Sequence, residues 1–161
     1  MSKDPRTFIF AIDPGINGAW AVLNWTGEHM GCGELPRFEK ALNAVELSNL
    51  FDGYAPEQAI IERVGAMPKQ GVTSTFNFGV SYGMCRGVVA ATGTPLTLVS
   101  PGRWKKHFGL IGKAKDASRQ LATELFPSAS SHLSLKKHVG RADALLLARY
   151  GFEMKHGRAP K

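Results

Sequence analysis

The sequence predicts an α/β domain built on a mixed five-stranded sheet with helices on both faces. Three observations predict it. Three short β-rich runs succeed one another near the N-terminus with only tight turns between them. Two further apolar β runs come later, each after a helical segment. The C-terminal part carries helical periodicity alone.

TFIFAID (7–13) is a buried strand that ends in an acid and the breaker pair Pro14-Gly15. GAWAVLNW (18–25) and HMGCGEL (29–35) follow across Gly/Asn and Thr26-Gly27 turns, so the three strands form an antiparallel meander. Residues 41–53 place Leu42, Val45, Leu47, Leu50 and Phe51 at helical spacing, and Pro56 ends that segment. QAIIERV (58–64) is a second buried strand with an acid, Glu62, near its end. A long helix is expected over 73–92, with Gly79, Gly83 and Gly87 recurring every fourth residue. Glycine costs about 1 kcal/mol in a helix interior, so three on one stripe point to close packing on the sheet or on a second copy.

PLTLVS (95–100) is the fifth strand, and PGRWKKHFG (101–109) is a short helix opened by proline. KDASRQLATELF (115–126) is amphipathic, residues 128–140 read as a polar loop, and RADALLLARYGFEM (141–154) is the last helix. The basic stretch 155–161 reads as a mobile tail. One domain accounts for all of 1–161, with its core over 7–153 and the first strand central beside the Glu62 strand.

At 161 residues there is no room for a second sizeable core. The formal charge of +7 suits a polyanionic partner, nucleic acid or an acidic membrane surface. Two cysteines, Cys32 and Cys85, exclude a disulfide framework and a cysteine-rich zinc site. No apolar run reaches the roughly 20 residues of a spanning helix, and no signal peptide precedes the first strand. A cytoplasmic protein with no membrane partner is expected, in a bacterium or in the host of a virus.

The order of acids is the informative feature. Asp13 and Glu62 end buried strands, and Asp143 opens a helix rich in Ala and Leu. An acid beside an apolar run is costly unless paired or bound to a metal. Converging carboxylates suit Mg²⁺ or Mn²⁺, and a pair of such ions would support phosphodiester hydrolysis. Taken singly, Asp13 could equally be a turn residue, Glu62 could pair with Arg63, and Asp143 could serve the helix dipole. The chemical reading needs all three.

FAIDPGINGAW resembles the first two strands of RuvC-type Holliday junction resolvases, within the RNase H-like superfamily. IIERVGAMPKQGVTSTFNFGVSYGMCRGVV resembles their IExV strand and glycine-containing helix. VSPGRWKKHFGLIGKAKDASRQL resembles their basic segment, and GRADALLLARYG their last helix. The likeness spans about residues 7–153. It implies an RNase H-like fold and a structure-selective endonuclease that resolves four-way junctions or other branched DNA. It also implies Asp13, Glu62 and Asp143 as ligands of two Mg²⁺ ions, with Mn²⁺ able to substitute.

One departure stands out. The family carries a further Asp or His about one turn before the last acid. Here Gly140 and Val139 occupy that place, and His138 is the nearest candidate for a fourth ligand or water-orienting group.

By the same resemblance, one of Lys105 or Lys106 and one of Lys113 or Lys115 lie near the scissile phosphate. Lys106 and Lys115 are the expected catalytic pair. Lys69, Arg103, Lys136, Lys137 and Arg141 complete a DNA-facing set that would make binding salt-dependent. Phe76 or Phe78 could stack on an opened base, or pack in the core, and Met67 could act as a wedge. Trp104 reads as core. Cutting two strands of a junction with near two-fold symmetry calls for a homodimer, and Phe76, Gly79, Tyr82, Gly83 and Arg86 on the long helix are its expected surface. Two other readings fit the same residues: a branched-DNA-binding protein that does not cut, and a nuclease acting on RNA or RNA–DNA hybrids. An actin-like ATPase would need a repeated domain for which the chain has no space.

Overall fold

Continuous burial along the central strands, covered on both faces, explains the layers of this computed structural model, which describes residues 7–15 and 17–157. Strands β1 (Phe8–Asp13), β2 (Ala19–Asn24) and β3 (His29–Glu34) form the antiparallel meander. A two-stranded hairpin, β4 (Arg37–Phe38) with β5 (Ala41–Leu42), leads into helix α1 (Ala44–Tyr54). Then come β6 (Gln58–Glu62), α2 (Val72–Ala91), β7 (Leu96–Val99), α3 (Pro101–His107), α4 (Ala117–Leu125) and α5 (Val139–His156). The sheet order is β3-β2-β1-β6-β7, with β6 parallel to both β1 and β7. The first strand is central and the Glu62 strand is beside it, as expected.

Successive side chains of a strand point to opposite faces, and the core divides accordingly. Ile9, Ala11 and Ile60 pack with α4 and α5, whereas Phe10, Ile12, Ala59 and Ile61 pack with α1 and α2. Helix α5 is buried almost all round, from Ala142 through Glu153. Gly151 lets it lie on the sheet, because a Cβ there would overlap the Ile60 side chain. Glu153 ties α3 to α5: its carboxylate meets Arg149 Nε at 2.7 Å and His107 Nε2 at 2.6 Å.

Several predicted boundaries differ. The helix expected from residue 41 starts at Ala44, because Asn43 caps it by accepting from the Glu46 amide at 3.2 Å. Ala41 and Leu42 instead pair back to Arg37 and Phe38, around a turn in which Glu39 is left-handed (φ 56°). The expected loop at 128–140 contains 3-10 turns at Pro127–Leu133 and Lys136–His138. Helix α5 begins earlier than expected and runs to His156, so Lys155 and His156 are helical and not part of a tail. Residues 158–161 lie outside the described part of the chain.

The glycine stripe of α2 does not serve packing within the chain. A Cβ added at Gly79, Gly83 or Gly87 would meet nothing within 4 Å. Phe76 and Val80 beside it are exposed, while Tyr82 is partly buried on the α1/α2 core with Arg86 over its ring.

The turn from β1 to β2 is tight. Gly18 N donates to Gly15 O at 2.8 Å, and a Cβ at Gly18 would sit 2.6 Å from the Asp13 carbonyl oxygen and 2.6 Å from Leu35 Cδ1. Gly18→Ala should therefore destabilise the fold by about 1–3 kcal/mol, the usual cost of overpacking. Urea titration would measure this, and an unchanged midpoint would contradict it.

Candidate active site

The parallel register sets up the site. Ile12 of β1 pairs with Ile61 of β6, so one residue further Asp13 lies beside Glu62 where both strands end. Both side chains share the face of Ala11 and Ile60, the face covered by α5. The ends of parallel strands are the usual place for a ligand site in α/β sheets. Asp143 is the fifth residue of α5 and not part of its first turn, which removes helix-dipole compensation as its main reason for being there.

Electrostatics shows the three acids acting on one another. Burial pushes the Asp13 carboxyl up to about 7, reinforced by the Glu62 charge and, less strongly, by Asp143. The Gly15 amide, donating to Asp13 Oδ1 at 3.0 Å, and the Lys105 ammonium pull the other way. Glu62 is also raised, mainly by burial and further by Asp143. Its relief comes from buried Trp104, whose Nε1 donates to Glu62 Oε2 at 2.7 Å. Asp143 is raised by burial, and opposed by the Ser118 hydroxyl, Lys105 and Lys115.

Among the described residues, no three His, Cys, Asp or Glu side chains stand close enough to form a closed metal cage. The donor set nevertheless fits a hard divalent cation. All three groups are carboxylates, and Asp143 Oδ1 is buried without a hydrogen-bond partner. An orphaned buried carboxylate oxygen facing repelling anions is the arrangement that a cation relieves.

The expected fourth ligand, His138, makes a local contact through one ring nitrogen. His138 is buried at the last 3-10 turn, and its Nδ1 accepts from the Leu135 amide at 3.2 Å. The charged groups acting on it are Arg141, Lys137, Glu34 and Arg119, and its pKa is lowered, chiefly by burial. It is a local capping group. Nor could an acid replace Gly140, because a Cβ there would overlap the Asn17 carbonyl oxygen.

The cations sort themselves by position. Lys105 acts on all three acids and lies 5.3 Å from the Trp104 ring centre. Lys106, expected as catalytic, is exposed and exerts no such effect, because it follows the buried Trp104–Lys105 face of α3 by one more step of 100°. Lys115, Lys136, Lys137 and Arg141 line a cleft of about 570 Å³ that also contains Asp13 and Asp143. Arg141 is half committed, donating to Glu34 Oε1 and to the His132 carbonyl. Lys69, Arg103 and Lys113 are exposed outside that cleft. Arg37 of the β4–β5 hairpin and Asn17 line it, and sequence reasoning named neither. Trp104 is core, as its sequence context predicts, and its indole N–H also donates to Glu62, which no sequence pattern signals.

The raised Asp13 fixes a stability trade-off. Its folded pKa lies above the unfolded value, so the folded state binds the extra proton between about 3.8 and 7, and stability falls as pH rises through that window. With metal chelated, Asp13→Asn should stabilise the protein at pH 8 by roughly 1–3 kcal/mol and leave it near wild type at pH 3.5. Urea unfolding at the two pH values tests this, and equal stability of both proteins at pH 8 would sink it.

No protein-family model matches the chain. A curated relative, the chloroplastic Holliday junction resolvase MOC1 of Chlamydomonas reinhardtii, is 39% identical over 85 residues, which is 52% of this chain and 10% of that protein. The chain thus spans about a tenth of that relative's length. Solved structures match nearly throughout. Thermus thermophilus RuvC in complex with a Holliday junction substrate shares 16% identity over 94% of this chain and 96% of its own, with a TM-score of 0.63. The fowlpox virus resolvase, solved with Holliday junction DNA, shares 17% over 91% and 99%, with a TM-score of 0.58. The yeast mitochondrial Holliday junction resolvase Ydc2 shares 17% over 94% and 83%, with a TM-score of 0.53. The central β1, the flanking parallel β6 and β7, and the covering α5 are the RNase H-like fold of the RuvC-type Holliday junction resolvases.

Proposed function

We propose that this chain is a metal-dependent endonuclease that resolves Holliday junctions or other branched DNA. The observation that carries the reading is the mutual electrostatic strain of Asp13, Glu62 and Asp143 at the ends of β1 and β6 under α5. Asp13, Glu62 and Asp143 would hold Mg²⁺ or Mn²⁺, two ions per site. Bound there, the ions supply an activated water and stabilise the leaving oxygen of a phosphodiester.

The chain's own residues do the rest. Lys105 offsets negative charge at the acids and would do the same for the charge that develops on the phosphate. Trp104 favours the ionised form of Glu62 by donating a hydrogen bond to it, against the effect of burial. Lys115, Lys136 and Lys137 draw the DNA backbone into the cleft. A homodimer through the exposed Phe76, Gly79 and Gly83 face of α2 would present a second site to the second strand. Similarity to resolvases solved with junction DNA supports the substrate class over RNA–DNA hybrids. No helix among the described residues is long and apolar enough to cross a membrane.

Asp13→Asn, Glu62→Gln and Asp143→Asn should each reduce Mg²⁺-dependent junction cleavage by about 10³-fold or more while junction binding persists. Undiminished cutting by Asp13→Asn would refute the mechanism, and a wild-type protein that binds junctions but never cuts would point to the non-cleaving reading. Lys105→Met should lower the cleavage rate by about 10²-fold or more, whereas Lys106→Met should act mainly on affinity and its salt dependence; the reverse ranking would return the catalytic role to Lys106. Trp104→Phe removes the donor that lowers the Glu62 pKa, so the acid limb of the rate–pH profile should move to higher pH. A profile that falls in height without moving would reduce Trp104 to a packing role.

A further inference from the structure

Helix α3 carries two of the side chains that moderate the acids, yet little within it holds it in place. It has seven residues and no side-chain cap at Ser100, and isolated helices this short are marginal in water. Trp104 and His107 lie three residues apart, on one face of the helix. At one end of that face the Trp104 indole Nε1 donates to Glu62 Oε2 at 2.7 Å. At the other end His107 Nε2 lies 2.6 Å from Glu153 Oε2 on α5. Two polar contacts to two carboxylates fix the helix both along its axis and about it.

The Glu153 contact is directional at every step. Glu153 is buried, and its Oε1 accepts from Arg149 Nε at 2.7 Å. Burial pushes its carboxyl up, but the hydrogen bonds and charges of Arg149 and His107 outweigh burial and hold it below the ordinary glutamate value. An ionised carboxylate only accepts, so His107 donates through Nε2. The imidazole meets the Phe108 and Tyr150 rings edge-on, at 4.8 and 5.2 Å between centroids, which restricts how it can turn. Apolar residues of similar volume often hold two helices as firmly as a buried ionic network does. What the network adds is direction, because hydrogen bonds to a fixed acceptor set where α3 points and apolar packing alone tolerates sliding.

We infer that Glu153 and His107 are positioning residues of the acid site, setting the orientation of α3 so that Trp104 meets Glu62 and Lys105 acts on the three carboxylates. Ten residues of α5 separate Glu153 from Asp143, about 15 Å at the usual helical rise. Glu153 is therefore too far away to touch metal or DNA, and it acts on the site through α3. Orientation matters because Lys105 has an equally charged neighbour. Turning α3 by one residue, about 100°, would bring Lys106 round in place of Lys105 and carry the indole N–H away from Glu62. The effect expected on cleavage rests on the proposed nuclease reading; the effect expected on Trp104 does not.

The test uses the full chain with Mg²⁺ and a four-way junction. It follows cleavage, junction affinity and the Trp104 indole N–H resonance, which Trp104→Phe identifies by its loss. His107→Phe keeps a ring in place but cannot donate. It should lower kcat about tenfold or more, leave junction affinity within about twofold, and move the indole resonance. His107→Gln, whose amide nitrogen reaches the Nε2 position, should restore the rate to within about threefold of wild type and return the resonance. In a Lys105→Met background His107→Phe should cost less than about threefold more, because the group that it aims is already gone. Glu153→Gln removes the charge that His107 donates to and should behave as His107→Phe does; it takes that variant's place if thermal melting shows His107→Phe to be unfolded. Cleavage at the wild-type rate, a loss undiminished in the Lys105→Met background, or an unmoved indole resonance overturns the inference and leaves the nuclease reading intact. A wild-type protein that cuts no junction overturns the nuclease reading, and the positioning role is then decided by the resonance alone: movement on His107→Phe with return on His107→Gln upholds it, and no movement overturns it.

Discussion

Like charges held together in a half-buried cleft are the constraint around which this protein is built. Three carboxylates converge where two parallel strands end, and burial and mutual repulsion push Asp13 to about 7. Everything around them limits that cost without removing it. The Gly15 amide and the Trp104 indole each occupy one oxygen, and Lys105 supplies the nearest opposing charge. Asp143 Oδ1 is left with no partner at all. A site fully satisfied by the protein would gain little from a cation, and the residual strain here is of the kind that a cation relieves.

Rigidity in the support follows from that constraint. Anions that repel must be carried on elements unable to move apart. Asp13 sits on the central strand, Glu62 on its hydrogen-bonded neighbour, and Asp143 on a helix buried on nearly all sides. The Glu153 pairs with His107 and Arg149 fasten α3 to that helix, and α3 carries both Trp104 and Lys105. One buried carboxylate away from the site thus helps to aim the two side chains that moderate it.

Much of this was legible in the sequence, because apolar period and chain order report on buried elements. The end of TFIFAID, the end of the Glu62 strand and the acid in RADALLLA identified the three carboxylates, and the strand order followed from turn lengths. Side-chain direction on short exposed helices was not legible. Lys105 and Lys106 are adjacent and chemically identical, and only the burial of Trp104 decides which faces the acids. The β4–β5 hairpin was hidden because Leu42 fits the periodicity of the following helix; the Asn43–Glu46 capping pair was the available signal that the helix starts later. His138 stands out by its distance along the chain, and only the structure shows that its Nδ1 is engaged by the Leu135 amide in a 3-10 turn.

The contact between Gly140 and the Asn17 carbonyl has a consequence for how this scaffold can vary. At Gly140, three residues before Asp143, the side-chain volume is spent on pressing the first turn of α5 against the β1–β2 connection. A side chain at 140 and this contact exclude each other at the level of a single residue. A carboxylate grafted there would first require the connection around Asn17 to be rebuilt further from the helix. What residue 140 can carry in this architecture is coupled to the path of a loop, so a lineage could change one only by changing both together.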